Sequence, residues 1–170
     1  KMNFVYIGEL VNTHGLKGEV KIISDFKEKD KVFKVGNKIY TGINYDCLEI
    51  TSYRRHQNYD MVTFKGLDKI EDVVIYKGDS VYVNRDDYDF GIINEDLIGL
   101  SVYGNDYIGK VTGFLKSNAH ELLVIENEGS KHYVPYIDEF IKEIDLDNKK
   151  IIINEIEGLI DENWYYYFVS

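Results

Sequence analysis

Apolar residues along this chain come in short runs separated by turn residues, and the runs have the length of strands rather than of helices. In the first half they fall at 4 to 11, 19 to 24, 38 to 41, 47 to 53, 60 to 65 and 80 to 83. Strands at this spacing favour a sandwich or a barrel. One segment has a helical period instead. Asp68-Lys-Ile-Glu-Asp-Val-Val-Ile-Tyr-Lys-Gly78 puts Ile70, Val73 and Val74 on one face, with Asp68 as cap, Glu71 three residues on, and Gly78 to close it. So short a helix suits the open end of a barrel, as a plug.

The pattern breaks at Asn84-Arg-Asp-Asp-Tyr-Asp-Phe-Gly91, which is polar, acidic and without periodicity. A second β series follows at 97 to 103, 107 to 115, 121 to 126, 131 to 134 and 150 to 154. Asn105 and Asp106 fit a hairpin turn, Glu128-Gly129-Ser130 fits another, and Pro135 stands where a strand should stop. Tyr136 to Lys142 fits one helical turn. The expectation is an all-β chain of two small barrels with one or two short helices. The first domain spans 1 to 86, a linker 87 to 93, and the second domain 94 to 170.

The most distinctive segment is Ile7-Gly-Glu-Leu-Val-Asn-Thr-His-Gly-Leu-Lys-Gly-Glu-Val20, a strand, a glycine-punctuated loop and a second strand. Its exposed groups are expected to be His14 and Lys17. Gly15-Leu-Lys-Gly18 matches the Gly-x-x-Gly loop with which KH domains clamp nucleic-acid backbone, but that loop joins two helices and β patterns flank this one. A nucleotide-binding glycine loop fails likewise, because it needs a following helix to aim at phosphate. His14 and Lys17 remain simple donors to a phosphate oxygen or solvated turn residues.

Composition changes the picture only in part. With 170 residues, 44% of them hydrophobic, the chain can bury one core or two small ones. No apolar run approaches the roughly 20 residues that span a bilayer, and no basic-then-apolar leader opens the chain, so a soluble cytoplasmic monomer without a membrane partner is expected. The one cysteine, Cys47, lies in the apolar run Cys47-Leu-Glu-Ile50 and is expected to be an inert buried thiol.

Charge is more informative. Residues 1 to 86 hold 14 Lys and Arg against 13 Asp and Glu, a net of +1, while residues 87 to 170 hold 6 against 17, a net of −11. An acidic second unit is steered toward basic partners, although acid also keeps a small domain soluble. Arg54-Arg55-His56 is the densest basic patch. On the same barrel rim as the opening loop, His14, Lys17, Arg54 and Arg55 would form a compact cationic surface suited to RNA backbone.

No catalytic set is legible, and no cofactor or metal is expected. His14, His56, His120 and His132 are dispersed and lack zinc-site spacing. Asp145-Leu-Asp147-Asn148 opens like a calcium loop, but Lys149 and Lys150 stand where oxygen ligands and a glycine belong, so a turn between strands is the better account.

The opening segment resembles the ribosome maturation factor RimM family, in which a strand, a polar tip ending in His-Gly and a Gly-Glu-Val strand begin the first barrel. Arg54-Arg-His56, Asp60-Met-Val-Thr-Phe-Lys-Gly-Leu67 and Gly78-Asp-Ser-Val-Tyr-Val83 continue the likeness in order. Asp96-Leu-Ile-Gly-Leu100, Ile108-Gly-Lys-Val111, Glu121-Leu-Leu-Val-Ile125, Val134-Pro-Tyr136, Ile144-Asp-Leu146 and Glu157-Gly-Leu159 follow the family's second domain, a PRC-type barrel. The first domain then resembles translation-factor and reductase barrels.

The resemblance implies a non-enzymatic factor that binds the immature 30S subunit through small-subunit ribosomal protein nineteen and 16S rRNA of the head, and promotes rRNA maturation. Asp138, Glu139 and Glu143 become candidates to meet the basic ribosomal protein, as does the linker end. There the family commonly carries adjacent tyrosines, whereas this chain has Ile92-Ile93, which either make an apolar contact or dock the linker on the second barrel. Trp164 and Tyr165 to Tyr167 read as an exposed partner patch or, in preference, as a strand covering that barrel, since large aromatics contribute most when buried. Competing functions are a PRC-barrel adaptor with no ribosomal role and a flavin-reductase-like enzyme, since fold alone does not settle function.

Overall fold

The computed structural model describes residues 1–154 and divides the chain into two compact units, Lys1–Gly91 and Ile92–Ser170. Glu157-Gly-Leu159, Trp164 and Tyr165 to Tyr167 lie outside the described residues. No described helix is long and apolar enough to cross a membrane.

The first unit is a closed six-stranded barrel. Its strands are β1 (Phe4–His14), β2 (Glu19–Ile23), β3 (Lys38–Thr41), β4 (Asp46–His56), β5 (Tyr59–Phe64) and β6 (Ser80–Asn84), ordered β1-β2-β5-β4-β3-β6 with every pairing antiparallel. Alternation along β1 sends Val5, Ile7 and Leu10 into the core and Tyr6 and Glu9 outward. β1 and β4, of 11 residues each, must bend to serve the closure. Register shifts at Tyr6/Gly8, Leu10/Asn12 and Ile50/Ser52 supply the bend.

Two short helices flank the barrel, α1 (Lys29–Val32) and α2 (Ile70–Val73), the latter running into a 3-10 turn over Val74–Tyr76. The periodic segment is thus helical, with two corrections. The cap is supplied by Asp72, whose carboxylate accepts the Lys69 N–H at 3.2 Å, rather than by Asp68. The tighter 3-10 turn also rotates the face, so Val73 and Tyr76 are buried while Val74 is exposed. Gly78, at φ +87°, ends the segment and donates its N–H to Leu10 O at 2.7 Å.

The described residues of the second unit form a six-stranded sheet built from β7 (Ser101–Tyr103), β8 (Tyr107–Lys116), β9 (Glu121–Asn127), β10 (Ser130–Pro135), β11 (Ile141–Asp145) and β12 (Lys150–Ile153), in the order β10-β9-β8-β7-β12-β11. Only β12 and β7 pair in parallel among the described strands. Leu97, Leu100, Val102, Val111, Leu123, Ile125, Val134, Phe140, Ile151 and Ile153 form its core. Leu97, expected to begin a strand, instead ends α3 (Asn94–Leu97), which starts where Asp96 Oδ2 accepts the Ile93 N–H at 2.9 Å. β11 is an addition to the expected strands, because Lys142 and Glu143 interrupt its apolar pattern at the sheet edge.

Cys47 corrects the expectation of a buried thiol: it is exposed. Leu48 and Ile50 take the inward positions of β4, so alternation turns Cys47 to the outer face, opposite Tyr40.

Candidate functional site

The β1–β2 hairpin presents His14 and Lys17, both exposed, at one rim of the barrel. Gly15 and Gly18 have φ of +72° and +84°, and a Cβ on Gly18 would collide with the Leu67 carbonyl. The Ile70 N–H donates to Leu16 O at 3.1 Å, tying the loop to the start of α2. The tip is therefore held by backbone contacts that leave its side chains outside.

His14 lies opposite Glu19 in register, and its ring centroid is 6.1 Å from that of His56. Arg54 donates to both oxygens of Glu19, Nε at 2.9 Å and Nη2 at 2.8 Å. This fork holds the Glu19 carboxyl below its ordinary pKa and raises that of Arg54. His14, Glu19, Arg54 and His56 thus form one mixed cluster in which the arginine is already paired.

Arg55 belongs to another cluster. Its Nη1 donates to Asp60 Oδ1 at 3.1 Å, where the Tyr53 hydroxyl also donates at 2.7 Å, and Lys29 Nζ donates to Asp60 Oδ2 at 2.9 Å. Asp60 is fully buried, so these three donors replace the water its carboxylate has lost. Burial and the bond to Asp60 push the Tyr53 hydroxyl up to about 12. A cleft of about 430 Å³ opens beside this group, with Ser24, Asp25, Lys29, Arg55 and Asn58 in its wall. The four predicted cationic residues are therefore not one surface. His14 and Arg54 share Glu19, Lys17 stands at the loop tip, and Arg55 turns to Asp60 because successive strand residues face opposite ways.

In the second unit, Asp138, Glu139 and Glu143 are all exposed. The turn bearing the first two is pinned by Phe140 N–H to Ile137 O at 3.0 Å and Ile141 N–H to Ile137 O at 3.1 Å, with Phe140 buried in the core. Asn154 Nδ2 donates to Glu139 O at 3.0 Å, and Glu143 lies on the edge strand β11. No described residue forms an ion pair with these three carboxylates. Ile92 is exposed and Ile93 buried, so the pair offers a single apolar side chain to a partner.

Sequence reasoning missed Asp60, read only as part of a strand, and missed an aromatic group on the outer wall of the barrel. The signal for the latter was present: Phe4 and Tyr6 on β1 and Tyr82 on β6 alternate with core residues and so share the outer face.

Two family patterns match in sequence, the RimM N-terminal domain over residues 5–88 and the RimM PRC barrel domain over residues 94–159. The chain is 39% identical over 168 residues to the ribosome maturation factor RimM of Staphylococcus haemolyticus strain JCSC1435, covering 92% of this chain and 99% of the relative. The same figures hold for the RimM of Staphylococcus aureus strain JH9. Among solved structures, a 16S ribosomal RNA processing protein RimM from Pseudomonas aeruginosa is similar at 21% identity and a TM-score of 0.46, over 91% of this chain and 98% of that one. The N-terminal domain of RimM from Thermus thermophilus is similar at 18% identity and a TM-score of 0.44, over 52% of this chain and 98% of that one. With both domain patterns matched in order and relatives 39% identical across nearly its whole length, the chain belongs to the ribosome maturation factor RimM family.

Proposed function

We propose that this protein is a non-enzymatic assembly factor of the small ribosomal subunit, acting on maturation of the 16S rRNA. Its second unit would engage small-subunit ribosomal protein nineteen through Asp138, Glu139, Glu143 and Ile92. Its first unit would face rRNA of the 30S head with His14, Lys17 and Arg54. The observation that carries the reading is the placement of charge: the unit with net −11 by sequence displays those carboxylates on a pinned turn and an edge strand. Such a surface attracts a basic protein and speeds its encounter.

Binding of this kind promotes assembly by differential affinity. A factor that holds the productive arrangement of RNA and protein more tightly than the alternatives shifts the population toward it, with no bond made or broken. In the first unit, Lys17 is the cation best placed for phosphate, since Arg54 must leave or share Glu19 to reach one.

Pull-down with isolated immature small subunits and with purified ribosomal protein nineteen tests the reading. Retention of both at moderate salt is expected. Loss of both would overturn it in favour of a PRC-barrel adaptor, and a yellow flavin-loaded preparation would favour a reductase.

A further inference from the structure

Five aromatic rings gather on the outer wall of the first barrel. Phe4 stacks on Tyr45 with centroids 4.7 Å apart and planes at 13°, and meets Tyr40 edge-on at 5.0 Å. Tyr82 stands in the middle, 6.1 Å from Phe4, 6.0 Å from Tyr6 and 5.1 Å from Tyr45. Tyr6 is 53% exposed and Tyr45 44% exposed, so part of this aromatic area faces outward although the barrel interior lies one residue away on each strand. Tyr45 adopts φ +53°, a left-handed conformation that a bulky residue rarely takes, and the stack on Phe4 accompanies it. The β3–β4 turn that holds Tyr45 also lifts Ile43 into solvent at 91% exposure.

Carboxylates border the rings. Burial raises the pKa of the Tyr6 hydroxyl, with Glu9, Tyr82 and Asp25 adding to it, and burial followed by the bond to Cys47 raises that of Tyr40, with Asp87 a smaller cause. Asp46 follows Tyr45 directly and accepts the Tyr76 hydroxyl at 2.7 Å. Lys38, two residues before Tyr40, stands across from Glu49. Exposed ring faces next to carboxylates match a cation with a flat or fatty body, and guanidinium over a tyrosine face is the favoured pairing. A nucleic-acid strand would also stack on the rings, but its phosphates would meet the same carboxylates.

We propose that the outer wall formed by Tyr6, Tyr45 and Tyr82 is a docking surface for an extended, arginine-rich segment of a basic protein. Arginines lie over the ring faces, and Glu9 takes the charge at one end. This places a basic-peptide site on the first unit, separate from the carboxylates of the second unit and independent of their role.

The test uses the full chain carrying Asp138→Lys, Glu139→Lys and Glu143→Lys, so that the second unit's acid does not mask the result, and a fluorescein-labelled Arg-Gly repeat peptide at physiological salt. Adding Tyr6→Ser with Tyr45→Asn is expected to weaken binding about tenfold, the loss of two exposed cation–π contacts. Asparagine tolerates the left-handed backbone at position 45, and an unchanged melting curve confirms the fold. Tyr6→Phe, which keeps the ring, should bind as before. Unchanged peptide affinity in the double variant overturns the proposal. So does a loss confined to oligouridine, which makes the wall an RNA-stacking platform, or one confined to self-association in sedimentation, which makes it a contact between copies.

Discussion

The two units hold similar numbers of strands and opposite policies toward charge. In the first, Arg54 forks Glu19, Lys29 and Arg55 hold Asp60, and aromatic rings cover part of the outer wall. In the second, Asp138, Glu139 and Glu143 stand exposed on backbone that is itself fastened. Counting charges tells the units apart only by net charge. Placement reveals that the two arginines of the first unit's basic patch are committed to carboxylates, while Asp138, Glu139 and Glu143 of the second have no ion-pair partner among the described residues.

The sharpest way to break this contrast is to open the cluster around the buried Asp60. Asp60→Ala leaves Lys29, Arg55 and the Tyr53 hydroxyl without their shared acceptor; because Lys29 and Arg55 are partly exposed and regain water, it should destabilise the first unit by about 2–3 kcal/mol. Hydrogen exchange resolved by segment should place the lost protection in residues 1–91 and spare the core around Leu123 and Ile151. Uniform loss would mean that the units do not fold separately.

Reversing Asp138, Glu139 and Glu143 to lysine probes the other side. Affinity for ribosomal protein nineteen should fall about tenfold at low salt, and its salt dependence should flatten. Titration calorimetry across a salt series measures both, and an unchanged slope would remove these carboxylates from binding.

A smaller effect is expected from Tyr53→Phe, which removes one of the three bonds to Asp60 and should cost about 1 kcal/mol in urea unfolding. Loss as large as that of Asp60→Ala would show that the hydroxyl, rather than the two cations, holds the carboxylate in place.

The exposed pair at the rim should contribute least. Folding lowers the Glu19 pKa, so its stabilisation is complete above the ordinary carboxyl value of 4.5 and is lost as pH falls through the folded-state value. Because Arg54 is about half exposed, solvent screening makes this contribution smaller than that of any bond to Asp60. Glu19→Gln should lower the melting temperature slightly at neutral pH and match the parent in acid; an equal deficit at both would assign the loss to packing.

Much of the fold was legible because period-2 alternation on the strands and glycine at the turns act locally. The hairpin at Glu128-Gly129 has φ of +48° and +86°, the left-handed pair that such a short turn requires. Legibility failed where neighbours outside the local pattern decide. Cys47 sits in an apolar run but its phase on β4 places it outside, and β11 gains strand form from pairing with β12 despite Lys142 and Glu143. Arg54 and Arg55 read as one patch because adjacency in sequence hides the opposite directions of adjacent strand side chains.

The sequence by itself determined the β character of both units, the turn positions, the acidic second half and the family. Each follows from residue type and spacing over a few positions, or from summed charge. Tertiary structure alone decided which charges are paired, that Asp60 is buried under three donors, and that rings from β1, β3, β6 and the β3–β4 turn meet on one wall. These depend on barrel closure, which brings together residues as far apart as Phe4 and Tyr82 and sets the face each one takes.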